Sequence, residues 1–344
     1  MSAERPVAVS VVGASGYAGA ELVRLLAGHP LVRIVSVHAR EREGAPLGGE
    51  FAHLAPLDLP LRGGLPSAGE ADAVFLALPS GASLAPVALL VEGGALVIDI
   101  GADLRLRDEE THRAWYGGEA RPAALVTEAV YGLTELARDR LAGARLVANP
   151  GCYPTAALLA LAPFASAGLL AGPIVVDAKS GVSGAGRTSA RGYGFAELDA
   201  SVVAYGAEGH RHGPEIAQGL ADAGAPDVPL TFVPHLVPMA RGLLATCYLQ
   251  LADDLSTSAL RTVLCDAYPT EPFVHVADAP PATKTATGSN HAFLFAARTG
   301  PARAVVTCAI DNLGKGAAGQ AIQNMNVALG LPETSGLGAL GVFP

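Results

Sequence analysis

Charge is scarce in this chain. Only 16% of its 344 residues are Asp, Glu, Lys or Arg, and half are hydrophobic. That balance excludes a disordered chain. The charge that exists is acidic, net −9, and forms no Lys/Arg-rich run. Nucleic acid and anionic membrane are therefore not expected partners. Cysteine is scarcer still: Cys152, Cys247, Cys265 and Cys308, far apart, with no CxxC and no Cys/His cluster. No metal is expected, and such sparse thiols fit a reducing cytoplasm. Glu4 and Arg5 lead into a short strand, so no secretory leader is expected. The uncharged runs Ala73 to Val91 and Thr155 to Val176 are both broken by proline and glycine, and parse as a buried strand and helix instead of a membrane span. The 41 glycines and 25 prolines stay below the share, roughly 25–30%, that marks low complexity.

What is present is a chain long enough for about two domains. VAVSVV (Val7 to Val12), a glycine turn, AELVRLLA (Ala20 to Ala27) and VRIVSV (Val32 to Val37) read as β-turn-α-β, the opening unit of a parallel sheet. Apolar runs at Ala73 to Leu78, Leu96 to Ile100 and Arg145 to Ala148 continue it, as strands covered on both faces do. After Cys152 the pattern changes. Ile174 to Ala178, Leu230 to Val237, Leu243 to Leu251 and Ala302 to Ala309 read as strands, partly alternating, between Gly/Ser/Arg-rich segments. The expected fold class is α/β: a Rossmann-type, doubly wound parallel sheet over residues 1–150, then an α+β domain with a mixed or antiparallel sheet over 151–310. In residues 311–344, a turn and an amphipathic helix are expected to return to the first domain.

Gly13-Ala14-Ser15-Gly16-Tyr17-Ala18-Gly19 lies between the first strand and the first helix. Glycines there permit a tight turn and let backbone amides approach a pyrophosphate at the helix N-terminus. A dinucleotide site that prefers NAD usually ends its second strand in Asp or Glu. Here the strand runs into His38-Ala39-Arg40-Glu41-Arg42. Arginine matches a ribose 2′-phosphate in charge and geometry, so NADP is the expected cofactor. The alternative for Arg40 and Arg42 is a solvated charged loop.

Asn149-Pro150-Gly151-Cys152-Tyr153-Pro154-Thr155 sets a lone cysteine in a turn between a strand-like and a helix-like run. At the positive end of a helix a thiol ionises more readily, which makes it a nucleophile. Asp177 to Arg187 (DAKSGVSGAGR) is a Gly/Ser loop able to hold an anion, or a plain surface loop. Gly209-His210-Arg211-His212-Gly213-Pro214-Glu215 places two imidazoles and a guanidinium just before a helix, a proton shuttle and an anion clamp in one segment, with a plain structural role as the alternative. Arg105, after a strand end in GADLRL, is a candidate phosphate or carboxylate contact, with an ion pair to Asp103 as the alternative.

Together VVGASGYAG, DIGADLRL, NPGCYPTA, SGVSGAGR, GHRHGPEI, PHLVPMARG and DNLGKGAAGQAIQN resemble, in the same order, the N-acetyl-γ-glutamyl-phosphate reductase family, among the acyl-phosphate-reducing dehydrogenases that include aspartate-semialdehyde dehydrogenase. The resemblance implies an NADPH-dependent enzyme of arginine biosynthesis. Cys152 would attack the acyl phosphate, and the thioester would be reduced to a semialdehyde. It implies His210 as acid/base, with His212 as the other choice. Arg105, Asn149, Ser180, Arg211, His212 and Glu215 would surround a small acyl-phosphate substrate. Gly13, Ser15, Gly16, Tyr17, Ala18, Gly19, Gly181, Asn312, Lys315 and Gly316 would surround NADP, together with Arg40 and Arg42. It also implies a homodimer or homotetramer through the second domain's sheet. Two departures stand out: GADLRL replaces a more usual serine-alanine-aspartate-phenylalanine-arginine pattern, and Gly213 stands where threonine is common. A carrier-protein-linked reductase of the α-aminoadipate lysine pathway shares the chemistry. That branch tends to replace both Asn149-Pro150 and Pro214-Glu215, which are intact here. A non-catalytic NADPH-binding sensor would not need Cys152.

Overall fold

The computed structural model describes residues 5–187 and 194–343. The chain divides into two compact units. The first comprises the stretch up to Pro150 together with Ala317–Gly338. The second comprises Gly151–Gly316 and the residues from Ala339 on.

In the first unit, seven strands form one sheet: β1 (Val7–Val12), β2 (Val32–His38), β3 (Leu61–Arg62), β4 (Ala73–Leu76), β5 (Leu96–Asp99), β6 (Val130–Tyr131) and β7 (Leu146–Ala148). Their order is β3-β2-β1-β4-β5-β7-β6, and every pairing is parallel. The order reverses between β1 and β4, the switch point at which open α/β sheets bind ligands. Every residue of β4 and β5 is buried. This is why both read as unbroken apolar runs and not as alternating ones.

The last helix, Gly319–Ala328, packs in this unit against the Thr134–Leu141 helix. Its contact is polar and buried. Asn324 donates to the Gly132 carbonyl (2.7 Å) and to Asn149 Oδ1 (3.0 Å), while its own Oδ1 accepts from Thr134 Oγ1 (2.7 Å). Gln320 Nε2 reaches Gly132 O, Thr134 Oγ1 and Asn324 Oδ1. Thr134, Asn149, Gln320 and Asn324 are all fully buried. Buried amides hold a helix only when they find partners, and this set is heavily cross-linked.

The second unit carries a mixed sheet: β8 (Ile174–Gly181), β9 (Val203–Ala204), β10 (Leu230–Val237), β11 (Leu243–Gln250), β12 (Val274–Val276), β13 (Ala292–Gly300) and β14 (Arg303–Ile310). The order is β12-β13-β14-β11-β8-β10-β9. β8–β10 and β12–β13 are parallel; the other pairings are antiparallel. β8 and β11 alternate buried with more open residues. Helices Cys152–Ser166 and Thr257–Ala267 cover one face.

Two boundaries differ from the sequence reading. The return to the first unit comes at Ala317 instead of Asp311, because the Asp311–Gly316 turn is bonded within the second unit. The final residues from Ala339 also belong to the second unit, where Val342 N donates to Thr287 O (2.8 Å). The strands β3, β6, β9 and β12, two or three residues each, carry no periodicity to read. β13, absent from the sequence reading, alternates in burial along an apolar run, Ala-Phe-Leu-Phe-Ala. Among the described residues no helix is long and apolar enough to cross a membrane.

The polar seam yields a test. Asn324→Ala leaves Thr134, Asn149 and Gly132 without their shared partner. Denaturant unfolding is expected to show a loss of about 2–4 kcal/mol. A loss below about 0.5 kcal/mol would mean the seam does not hold the helix.

Candidate active site

The glycine turn in the first unit needs its glycines. Gly13 has φ +89°, and a Cβ there would strike the Ala77 carbonyl. Gly19 lies against Gly13 and Ala14, so its role is close packing of helix on turn. The helix Tyr17–Ala27 starts with Gly16 as N-cap and no side-chain cap, which leaves its amide end to a ligand anion. Tyr17 is partly exposed and tilts against Phe51 at 6.5 Å. At the end of β2, where an acid would mark NAD, stands His38. It is buried; Nδ1 donates to Gly63 O (3.2 Å) and Nε2 accepts from Ser36 Oγ (2.9 Å). Burial lowers its pKa. Arg40 is exposed and has no bonded partner among the described residues. The Arg42 side chain lies 3.4 Å from Glu50. The turn, the missing acid and the unpaired Arg40 fit a nucleotide with a 2′-phosphate.

Arg105 and Asn149 are both buried. Arg105 donates Nε to the Asn149 carbonyl and Nη2 to the Ile100 carbonyl, each at 2.8 Å. Asp103, its alternative partner, accepts instead from the Gly81 and Ser83 amides. Asn149 spends its amide on Ala317 O and Asn324. The sequence reading placed both residues on substrate. Both side chains are buried; Arg105 is bonded to the backbone that runs into Cys152, and Asn149 is part of that backbone.

In the second unit, Cys152 is the first residue of a 15-residue helix, with Gly151 as its extended N-cap. Two contacts fix it. The Gly151 amide donates to Glu215 Oε1 (2.8 Å), and Glu215 is fully buried. Gly316 lies directly against the cysteine: a Cβ at 316 would sit 2.8 Å from Cys152 Cβ and 3.3 Å from its Cα. Glu215 therefore positions the helix start and Gly316 is its floor. Neither role follows from the substrate or cofactor contact expected from sequence.

His210 stands in an aromatic cage in the same unit. Rings of His212, Tyr205, Phe232 and Tyr153 lie at 4.8, 5.5, 5.5 and 6.1 Å. Burial first, then Arg211, pushes its pKa down to about 4, so the ring is neutral near pH 7. Its Nδ1 accepts from the His212 amide (3.1 Å). The ring proton is therefore on Nε2, the tautomer of a hydrogen-bond donor. His212 begins the helix His212–Asp222, with exposed Arg211 as N-cap.

The loops after β8 are stitched together. Gly181 N donates to Gly242 O (2.9 Å), and a Cβ at 181 would meet the Met239 and Ala240 carbonyls. Asn312 donates to Ser183 Oγ (2.9 Å) and accepts from the Gly242 amide (2.8 Å). Ser180 is buried at the end of β8. Lys315 was expected beside the nicotinamide. It is fully buried within the second unit, its ammonium 5.8 Å over the Phe273 ring, because the π-helical turn Gly314–Ala318 turns it inward.

Sequence reading missed Asp311 and Arg241. Asp311 is fully buried, takes Arg241 on both oxygens and also accepts from Gly288, Leu313 and Gly314 amides. PHLVPMARG and DNLGKG held both residues, but 70 positions apart. It also missed Tyr205, whose single position in a loop gives no pattern.

Gly316→Ala must displace Cys152. Steady-state assays are expected to show kcat falling ~100-fold with the KM for NADPH unchanged, since a shift near 1 Å at a reacting group costs about that much. Wild-type kcat in this variant would refute the contact.

Comparison with known proteins fits these sites. Residues 8–144 match the family described as semialdehyde dehydrogenase, NAD binding domain, and residues 152–312 match semialdehyde dehydrogenase, dimerisation domain. The N-acetyl-gamma-glutamyl-phosphate reductase of Dehalococcoides mccartyi is 47% identical over 97% of this chain and 98% of its own. That of Heliobacterium modesticaldum is 45% identical over 98% of this chain and all of its own. The solved aspartate semialdehyde dehydrogenase II of Vibrio cholerae aligns with a TM-score of 0.71 over 95% of this chain and 99% of its own, and at 15% identity it speaks for the fold alone. With both domains matched in order and such identity over nearly its full length, this chain belongs to the semialdehyde dehydrogenase family, among the N-acetyl-gamma-glutamyl-phosphate reductases.

Proposed function

We propose that the protein reduces N-acetyl-L-glutamyl 5-phosphate to N-acetyl-L-glutamate 5-semialdehyde and phosphate with NADPH, in the cytoplasm and in arginine biosynthesis. The observation that carries the proposal is Cys152 at the head of its helix, held by Glu215 through Gly151 and backed by Gly316. A thiol in that place is where a covalent acyl intermediate can form.

The Cys152 thiolate attacks the acyl carbon. The carbon–oxygen bond to phosphate breaks, and phosphate leaves with the bonding pair and takes up one proton. The glycine turn Gly13–Gly19 would hold NADPH, which would supply the hydride that reduces the thioester. The thiohemiacetal on Cys152 then releases the aldehyde as its carbon–sulfur bond breaks, which restores the thiolate. Each half passes through an oxyanion, and only one proton is consumed overall. A neutral imidazole with its proton on Nε2 suits that need, as a donor to the oxyanion and to the leaving phosphate. This favours His210 over His212. The amides of Tyr17 and Ala18 at the helix start would hold the pyrophosphate, and Arg40 the 2′-phosphate. The match to a dimerisation domain supports a homodimer or homotetramer.

The reverse reaction is the simplest assay. With N-acetyl-glutamate semialdehyde, phosphate and NADP, absorbance of NADPH should grow with the wild type and stay flat with Cys152→Ala; full turnover by the variant would refute the thioester route. For Arg40→Ala, the KM for NADPH is expected to rise ~10-fold or more while that for NADH stays within about twofold. Equal changes for both cofactors would remove the 2′-phosphate assignment.

A further inference from the structure

The cage around His210 has a scaffold of its own. Tyr205 follows the edge strand β9, and its amide donates to Pro234 O (3.0 Å) on β10. Its hydroxyl donates to the Tyr153 hydroxyl (3.2 Å), and the Tyr153 hydroxyl donates to the next carbonyl of β10, that of His235 (3.3 Å). Phe232, two residues before Pro234, lies edge-on to Tyr153 at 5.3 Å and to His210 at 5.5 Å. One strand thus anchors three aromatic walls. The fourth side of the ring is closed by Gly206 (φ +59°), where a Cβ would come within 3.3 Å of His210 Cβ and Cδ2.

We propose that Tyr205 is a positioning residue for His210: the hydroxyl chain from Tyr205 through Tyr153 to the His235 carbonyl sets the walls that hold the imidazole with Nδ1 on the His212 amide and Nε2 turned away from it. The proposal rests on His210 being the proton donor of the reaction above. The chain has one direction, since a carbonyl only accepts, so the Tyr153 proton goes to His235 and the Tyr205 proton to Tyr153. Burial, with Tyr205 next, raises the Tyr153 pKa well above the phenol range, opposed only in part by Ser180. Tyr153 therefore stays a donor throughout the working pH. Among the described residues, the charged or titratable groups around His210 are Arg211, His212, Tyr153 and Tyr205. Tyr205 and Tyr153 both join the ring's surroundings by edge contact and hydroxyl, and Tyr205 is the nearer, 5.5 Å from His210 at 83°. Remove the hydroxyl and Tyr153 loses the Tyr205 donor, while the edge wall survives; remove the ring and water reaches the imidazole.

The test uses the full-length protein and reads the imidazole directly. Nitrogen-15 NMR of labelled histidines, with the His210 signals identified by their loss in His210→Asn, reports tautomer and protonation midpoint without substrate. In the wild type a single Nε2–H tautomer is expected. In Tyr205→Phe both tautomers should be populated, and kcat should fall ~5–10-fold with the KM for NADPH unchanged. In Tyr205→Leu the midpoint should also rise from about 4 toward the ordinary imidazole value. A wild-type His210 spectrum in Tyr205→Phe overturns the proposal whatever happens to kcat, and this variant keeps the ring if Tyr205→Leu does not fold. A changed spectrum with wild-type kcat upholds the positioning and overturns the reaction role given to His210.

Discussion

Much of the second unit depends on one buried carboxylate. Asp311 closes β14 and enters the turn that ends at Gly316. Its oxygens take the Arg241 guanidinium and three backbone amides, and no part of it is exposed. A carboxylate removed from water costs several kcal/mol unless it is matched by charge and hydrogen bonds; here five donors surround it. The consequence is geometric. Gly316 N bonds back to the Asp311 carbonyl (2.9 Å), which brings the glycine against Cys152. Gly288, held by the same carboxylate, starts the segment whose Ser289 carbonyl packs on Gly314. The floor beneath Cys152 is thus set through an ion pair that lies on the same turn.

Each unit also fastens its own side of the Pro150–Gly151 bond. On the first side, Arg105 binds the Asn149 carbonyl and Asn324 binds its side chain. On the second, Glu215 binds the Gly151 amide. Polar groups this buried persist because breaking any one bond strands its partner. The arrangement explains why so many polar residues in the diagnostic segments bond to the protein itself. Preorganisation of a reacting thiol needs a rigid backbone before it needs further contacts to substrate.

The parts of the fold that were legible in the sequence are those with strong local signatures. The fully buried β4 and β5 read as apolar runs, and the glycine turn read as a dinucleotide site from its place between strand and helix. β13 was missed because its Ala-Phe-Leu-Phe-Ala run is apolar throughout and only its burial alternates, and β9 was missed because two residues carry no period. The candidate site divides in the same way. Cys152 and the GHRH segment were visible as residue types in tight turns. The burial of Lys315 over Phe273 was not legible, since the π-helical turn that carries it has no signature in the sequence. Asn149 and Glu215 were read as substrate contacts because polar residues beside a nucleophile look alike in sequence, whether they face a ligand or the core.

By itself the sequence determined the class of fold, a nucleotide turn suited to a 2′-phosphate, and a cysteine able to head a helix, because each of these follows from residues within a few positions of one another. Only the tertiary structure decided which polar groups were spent on holding the thiol, which histidine nitrogen keeps its proton, and where the chain leaves one unit for the other. Those outcomes turn on partners far apart along the chain, such as Asp311 with Arg241, Glu215 with Gly151 and Gly316 with Cys152. Contact at that range is a product of packing, and local pattern does not encode it.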